Sequence, residues 1–524
     1  MSQAQPVLIA GEWRDAASTA SFEPMNPATM SPTGETYPVS TVADVDAAVE
    51  AAAVASEELA QISADKIASF IEAFASGIES NREAIVTMAN AESGLPAAPR
   101  LNDVELPRTT DQLRQAAAAA RDRSWTMPTI DSASGIRSML APLDGGVAVF
   151  GPNNFPLAFN SVAGGDFAAA IAAGNPVIAK ANSSHPGTTR LLAEVAQLAV
   201  KETGLPAATV QLIYRTDHEV GKRLVSHPLI GATGYTGSRR AGLVLKDAAD
   251  KAGKPIYLEL SSINPVAILP GALRERGEAL AEEFTTSCLM GTGQFCTNPG
   301  IVLLLAGEEA EAFLADAAAR FAAAPVGTLL TGGVQSGLEE SVRALQSAGA
   351  SLVTGGQAGG GNGYSYSNTL LRVSGSTFIE NAEKLQTEAF GNESLFVVAA
   401  DLNEAAQIAR SFEGNLTGSV YSESGEGSDD EMYDIIAPIL RRKVGRLLND
   451  KMPTGVAVSS AMNHGGPYPA TGHPGFTAVG IPASLRRFAM LQCFDNVRQH
   501  RLPDVLKDGN PLKVSRLVDG EWTT

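Results

Sequence analysis

Cysteine is scarce in this chain, and so are histidine and the aromatic residues: 524 residues hold 3 Cys and 6 His, and Phe, Trp and Tyr together make up 6%. Cys288, Cys296 and Cys493 are odd in number and show no paired spacing, which excludes a disulfide framework and points to a reducing, cytoplasmic compartment. The histidines (185, 218, 227, 464, 473 and 500) are scattered, and no His/Cys/carboxylate group has metal-ligand spacing, so no metal is expected. No apolar run approaches the ~20 residues that a bilayer crossing needs, so no membrane partner is expected. Basic residues are outnumbered, 39 Lys+Arg against 57 Asp+Glu for a net charge of −18, which argues against a nucleic-acid partner. The opening Met1-Ser-Gln-Ala-Gln-Pro-Val has neither the basic nor the apolar region of a secretory leader.

What is present is a chain too long for one core, with a soluble composition that suits two or three domains. Residues 7–40 read as short extended pieces and turns. A helix follows, with Ile67, Phe70, Ile71, Phe74 and Ile78 on one face. The next stops at Ser93-Gly94-Leu95-Pro96, and residues 103–122 form an Ala-rich helix. From Gly146 the pattern becomes strand–helix alternation. Strands are expected at 146–150, 176–180, 210–214, 229–235 and 255–260, and helices at 156–173, 188–203 and 238–249. Strands separated by helices of this length mean βαβ units and a parallel sheet, whose ligands bind beyond the strand carboxyl ends. A second α/β segment runs from 262 to 484. Within it, Gly355 to Ser367 reads as a surface loop and the acidic stretch Glu423 to Asp434 as a solvated face. The pieces Trp125 to Ala141 and Arg487 to Arg501 flank the two segments and could form an intersubunit arm. Ile9-Ala-Gly-Glu-Trp and Val518-Asp-Gly-Glu-Trp look alike, which reads as chance because no period connects them.

Five positions carry chemistry. Cys296 lies in the small-residue turn Gly293-Gln-Phe-Cys-Thr-Asn-Pro-Gly300, between a helical approach and an apolar run. A lone cysteine is usually a small buried hydrophobe. As a nucleophile it would act as the thiolate, so the site is expected to lower its pKa. Asn154 follows a strand in Gly151-Pro-Asn-Asn-Phe-Pro156 and could donate to a developing oxyanion, or be an ordinary turn residue. Lys180 ends a strand and either snorkels or contacts a ribose or phosphate in the crevice. Gly231-Ala-Thr-Gly234-Tyr-Thr-Gly237-Ser238 leads from a strand into a helix, where glycines and a helix N-terminus favour a phosphate. Glu259 sits on the apolar strand Tyr257-Leu-Glu-Leu260. It is either an edge-strand carboxylate in solvent or a general base for water.

In their order along the chain these pieces resemble the aldehyde dehydrogenase superfamily: Asn-Phe-Pro156, Lys180, Tyr-Thr-Gly-Ser238, Leu-Glu259-Leu, Gly-Gln-Phe-Cys296 and Thr-Glu388-Ala-Phe390-Gly. The resemblance covers almost the whole chain. Asn463-His464-Gly-Gly-Pro-Tyr-Pro-Ala-Thr471 and Ile481-Pro-Ala-Ser-Leu-Arg-Arg-Phe bring it nearest to the NADP-dependent 2,5-dioxovalerate (α-ketoglutaric semialdehyde) subgroup, with bacterial fatty-aldehyde dehydrogenases as near relatives. It implies an α/β fold with a Rossmann-type coenzyme domain (1–124 and 144–261), a catalytic domain (262–484), and an oligomerisation arm and tail (125–143 and 485–524) that makes a homodimer or homotetramer.

The resemblance also implies roles. Cys296 attacks the aldehyde, and the Asn154 side chain with the Cys296 N–H holds the oxyanion. Glu259 activates water against the thioester. His464 either assists proton transfer or lines the channel. Lys180 contacts the adenosine ribose, Gly234 and Ser238 receive the pyrophosphate, and Glu388 holds the nicotinamide ribose with Phe390 beside it. Phe159, Phe295 and Thr297 face the substrate. Many NAD-dependent members have a glutamate where this chain has Ser183. A hydroxyl there, with Arg215 and more weakly His185, prefers the 2′-phosphate of NADP over NAD. Three positions depart from the general pattern: Ser261-Ser262 for a glycine pair, Asn153 for a tryptophan and Asn392 for a proline. The implied substrate is α-ketoglutaric semialdehyde, with a long-chain fatty aldehyde as the alternative. A cysteine hydrolase without redox chemistry and a catalytically silent scaffold are the readings from other classes.

Overall fold

The structure, a computed structural model, describes residues 4–524; Met1, Ser2 and Gln3, part of the stretch read for a leader, lie outside the described residues. The alternating region folds into a sheet whose parallel strands are Gly146–Phe150, Val177–Lys180, Val210–Ile213, Ile230–Thr236 and Ile256–Glu259. In space the order is 256–259, 230–236, 146–150, 177–180, 210–213, after which Val7–Ile9 and Glu12–Arg14 add antiparallel. The parallel run starts mid-sheet at 146–150 and winds outward in both directions, so strands 146–150 and 230–236 flank a topological switch point. The strand ends are level: Lys180 pairs with Phe150 and Ile213, Tyr235 with Phe150, and Thr236 with Glu259. Asn154, Lys180, Ser238 and Glu259 therefore leave the sheet along one edge.

Apolar periodicity turns into packing as expected. Ile67, Phe70, Ile71, Phe74 and Ile78 are all buried on helix Ala64–Ser80. Phe74 meets Phe167 edge-on at 5.7 Å. Gly94 takes a left-handed φ of 66° and closes helix Arg82–Ser93. Glu92, fully buried in that helix, accepts from the Gly187 and Thr188 N–H groups at 2.7 and 2.8 Å. It thereby caps helix Pro186–Thr203, the one that follows Lys180.

A second sheet orders its strands Ser351–Thr354, Thr369–Ser374, Glu393–Ala399, Ile301–Leu305, Val266–Ile268, Asn415–Tyr421 and Val444–Asn449. All pair in parallel except the first. Helix Pro270–Leu289 leads into the Cys296 turn and strand Ile301–Leu305 leaves it. A third sheet joins Ala489–Asp495, Ile136–Pro142, Thr129–Asp131, Arg516–Val518 and Glu521–Thr523. One face packs Ile130, Met139, Leu502, Val505 and Leu506, while Leu491 and Trp522 stand 70% and 65% exposed.

Several expectations are corrected. The helix read at 156–173 is confined to Gly165–Ala172. The Asn160 amide donates to Pro156 O and its carbonyl accepts from Val162 N, which replaces the helical ladder there. The stretch 423–434 is not simply solvated: Asp429 is fully buried and caps helix Pro270–Leu289 through the Gly271 and Ala272 N–H groups at 2.8 and 2.9 Å. In the loop 355–367, Ser365 and Tyr366 are buried. The two look-alike stretches are not a coincidence of letters. Both are hairpins whose turn residues, Ala10-Gly11 and Asp519-Gly520, all have positive φ, the two-residue turn that suits strand twist.

Candidate active site

The Cys296 turn is built by backbone strain and close approach. Gly291, Thr292 and Gly293 take φ of 56°, 59° and 67° in succession. A Cβ on Gly293 would stand 2.0 Å from the Gly391 carbonyl oxygen, so only glycine lets the Glu388–Gly391 turn lie against the cysteine turn. Asn264, itself at φ 47°, donates one amide to the carbonyls of Cys296 and Asn298, each at 2.9 Å, and its oxygen accepts from Ser262 and Thr417. Asn298 and Asn392 are also buried, and Asn392 ties the turn to Tyr366 O and Asn368 at 2.7 and 2.8 Å. The asparagine in place of proline thus gives this turn side-chain anchors.

Three side chains distant in sequence meet here. His464 Nε2 lies 2.7 Å from Glu259 Oε1 and 3.5 Å from Cys296 Sγ, and the three atoms all fall within 4.8 Å of one another. Glu259 and His464 are buried, Cys296 is half-buried, and Glu259 Oε2 has no hydrogen-bond partner among the described residues. The segment after His464 wraps the strand end, with Leu260 N–H donating to Ala470 O at 2.8 Å. Sequence spacing gave no hint of this cluster. Asn154 Nδ2 donates to Gln294 O at 2.9 Å, two residues before the cysteine, which leaves its second amide hydrogen free in the same turn.

The thiol departs from expectation. Burial pushes its pKa well above the ordinary value, and the Glu259 and Glu388 carboxylates add to that, while the Arg108 charge works the other way. This resting site keeps a protonated thiol beside a carboxylate, rather than a preformed thiolate. Cys288 is sealed and its thiol donates to Glu393 O, and Cys493 lies exposed on the third sheet.

At the coenzyme edge, burial and then the nearby Arg215 charge lower Lys180 to about 8. Neither cation has an ion-pair partner among the described residues, so the pair suits an incoming phosphate. Ser238 is exposed and caps helix Arg239–Lys251 with its own hydroxyl, leaving first-turn N–H groups facing out. Ser183 is half-buried next to this edge. Burial raises Glu388 to about 7, offset by hydrogen bonds from the Ser261 side chain and the Ser262 backbone N–H, so of the serine pair in place of glycines it is the Ser261 side chain that adds an anchor for this carboxylate. Phe390 is half-buried against the first core. These groups fit a phosphorylated dinucleotide.

Two sequence assignments change, and so does the weaker one at His185. Gly234 sits within its strand, where a Cβ would meet an Asp166 oxygen at 2.6 Å; its bare backbone makes room for the Asp166–Arg487 ion pair (2.8 Å) rather than a phosphate. The Thr297 hydroxyl is fully buried and accepts from Gly455 N at 3.0 Å, so it anchors a loop instead of facing substrate. His185 is buried with Nε2 on Pro152 O at 2.9 Å, which removes it as a phosphate contact. Phe159 and Phe295 join Phe155 in an apolar cluster, and the Phe159 ring lies 5.9 Å from the His464 ring.

Sequence reasoning missed a second layer. Glu105 is fully buried, accepts from Leu157 N and Ala158 N at 2.8 and 3.0 Å, and pairs with Arg100, which donates to Asn154 O at 3.2 Å. It holds the loop that presents Asn154. Arg108 lies over the Phe159 ring at 5.0 Å.

The sequence model of the aldehyde dehydrogenase family matches residues 13–433. The chain belongs to that family. This aldehyde dehydrogenase is 39% identical to "Alpha-ketoglutaric semialdehyde dehydrogenase 2" of Azospirillum brasilense, over 93% of each chain. It is 36% identical to "Alpha-ketoglutaric semialdehyde dehydrogenase" of Acinetobacter baylyi, over 97% of each. Among solved structures it matches lactaldehyde dehydrogenase from Escherichia coli at a TM-score of 0.80 and 24% identity, covering 94% of this chain and 98% of that one. Aldehyde dehydrogenase C from Pseudomonas syringae, solved with NAD+ and octanal, matches at 0.80 and 22%, covering 94% and 96%. The aldehyde dehydrogenase fold is therefore shown, and the protein is an NAD(P)-dependent oxidoreductase acting on aldehydes, not a redox-free hydrolase or a silent scaffold. Among the described residues, no helix is long and apolar enough to cross a membrane.

Proposed function

We propose that the enzyme oxidises α-ketoglutaric semialdehyde to 2-oxoglutarate with NADP, through a thiohemiacetal and a thioester on Cys296. The observation that carries the mechanism is the meeting of Sγ, Oε1 and Nε2 within 4.8 Å. Glu259 accepts the thiol proton as Sγ adds to the aldehyde carbon. The His464 N–H, donated to Glu259 in the resting state, is then free to turn toward the sulfur. The Asn154 amide and the Cys296 N–H hold the oxyanion. When bound, the coenzyme supplies the acceptor for the hydride lost from the thiohemiacetal carbon. Glu259, having passed the thiol proton on to solvent, takes a proton from water as that water attacks the thioester carbonyl; the acid leaves, and the Cys296 thiolate takes that proton back from Glu259 to become the thiol again.

Ser183, Lys180 and Arg215 support NADP, because no carboxylate stands where a 2′-phosphate would lie. Ser238, Glu388 and Phe390 complete the coenzyme contacts. The substrate assignment is supported by the two semialdehyde dehydrogenases at 39% and 36% identity. The Phe155, Phe159 and Phe295 cluster favours a second reading, a long-chain alkyl aldehyde. Comparing kcat/KM for the semialdehyde and for a long-chain aldehyde, each with NADP and NAD, decides both choices; preference for the long chain or for NAD overturns the corresponding half. The division into a coenzyme domain (1–124 and 144–261), a catalytic domain (262–484) and an arm with its tail (125–143 and 485–524) belongs to the same reading. So does a cytoplasmic homodimer or homotetramer joined through the arm sheet, where Leu491 and Trp522 stand exposed. Light scattering of the pure protein tests the oligomer.

A further inference from the structure

Three arginines lie around the thiol, and two are committed. Arg100 pairs with Glu105 and donates to Asn154 O at 3.2 Å. Arg446 donates to the carbonyls of Pro453 and Gly455, each at 3.0 Å. Arg108, in the first turn of helix Leu106–Asp122, differs. Its Nε, Nη1 and Nη2 are all buried, and none has a hydrogen-bond partner among the described residues. Glu105, the carboxylate whose charge acts most strongly on it, already serves Arg100 and two backbone N–H groups. A buried cation left unpaired is costly, and a guanidinium offers a planar fork that matches a carboxylate bidentately.

Its placement says which carboxylate. The guanidinium lies 5.0 Å over the Phe159 ring and 5.9 Å from the Phe155 ring. The Phe159 ring lies 5.9 Å from the His464 ring, and His464 Nε2 touches Cys296 Sγ at 3.5 Å. The free fork is thus one aromatic ring away from the reacting sulfur, with apolar walls between. We propose that Arg108 receives the carboxylate at the end of the substrate remote from the aldehyde, while Phe155, Phe159 and Phe295 flank the short carbon chain. This rests on the semialdehyde reading above and gives it a specificity-determining residue. An alkyl aldehyde would place a methyl end against the buried cation and leave its donors unmet.

The test compares wild type, R108Q and R108K on 2,5-dioxopentanoate and on pentanal, an uncharged aldehyde of the same length, with the coenzyme saturating. R108Q is expected to lower the ratio of kcat/KM for the acid over pentanal by about a hundredfold, chiefly through KM, with R108K in between. Binding of 2-oxoglutarate, read as a rise in Tm, is expected in wild type and lost in R108Q, a readout that needs no turnover. Equal losses on both aldehydes, or a ratio moved by less than about threefold, overturn the assignment and leave Arg108 a structural residue. A wild-type enzyme that prefers pentanal overturns the substrate reading itself and the Arg108 proposal with it, before any variant is made.

Discussion

Replacing Glu259 by Gln is expected to make Cys296 more reactive toward an alkylating agent while stopping turnover. Burial is the main reason that the thiol titrates high, and the Glu259 carboxylate is the next. Their oxygen and sulfur atoms lie within 4.8 Å. Two unit charges at that separation repel by about 3.5 kcal/mol at an effective dielectric of ~20, which is roughly 2.5 pH units of thiol titration. The sign is fixed: a neighbouring anion disfavours the thiolate, so removing it lets the thiol ionise at lower pH. Part of the effect is lost because His464 shares the charge, so a downward move of about 1–2 pH units is expected. The assay is the rate of iodoacetamide labelling of Cys296 against pH in enzyme free of coenzyme. At a fixed neutral pH, E259Q should label about ten- to a hundredfold faster than wild type. With coenzyme and aldehyde it should release about one reduced coenzyme per site and then slow by at least ~100-fold, because the base for thioester hydrolysis is gone. An unchanged or upward-shifted labelling profile would refute the electrostatic account, and steady turnover would refute the role assigned to Glu259.

Lys180 titrates near 8 before coenzyme binds and is charged only below that value, so coenzyme affinity should fall as pH rises past it, by up to ~tenfold per pH unit; flat affinity by isothermal titration from about pH 7 to about pH 10 would remove its phosphate role. Ser183→Glu places a carboxylate at the proposed 2′-phosphate position and should cut the NADP-to-NAD ratio of kcat/KM by tenfold or more, roughly, through like-charge repulsion; an unmoved ratio would dismiss Ser183. Gly293→Ala drives a Cβ to 2.0 Å from the Gly391 carbonyl at a left-handed φ, so turnover should be abolished and Tm lowered by a strain of about 3 kcal/mol or more. Wild-type kcat in that variant would show the approach to be soft. Asn264→Ala strips donors from the Cys296 and Asn298 carbonyls and should cost about 1–3 kcal/mol of stability by denaturant melt, with a fall in kcat.

The sequence made some of this legible for local reasons. A cysteine in a glycine turn, a glutamate inside an apolar strand and an asparagine after a strand each break a pattern that propensity alone would fill differently, and the fold brings these three to one place. The parallel sheet was visible because strand and helix periods alternate. Arg108, Glu105 and Asn264 gave no such signal. Glu105 and Arg108 stand three apart in the stretch read only as an Ala-rich helix, yet Glu105 finds its partners about fifty residues away in the Asn154 loop. The thiol's titration was misjudged because burial and the approach of Glu259 are tertiary facts. The motif shows that a glycine stands at 234 but not that the neighbour needing its space is Asp166.

The catalytic atoms are contributed by separate bodies: Glu259 ends a strand of the first sheet, Cys296 lies in the turn that leads into a strand of the second, and His464 comes from the segment that wraps the seam. Contacts of 2.7 and 3.5 Å therefore act as a caliper on how those bodies are seated. Slippage of an ångström would silence the enzyme while both hydrophobic interiors stayed intact. Under mild denaturant, inactivation should precede any change in circular dichroism, and the loss should reverse when the denaturant is diluted away.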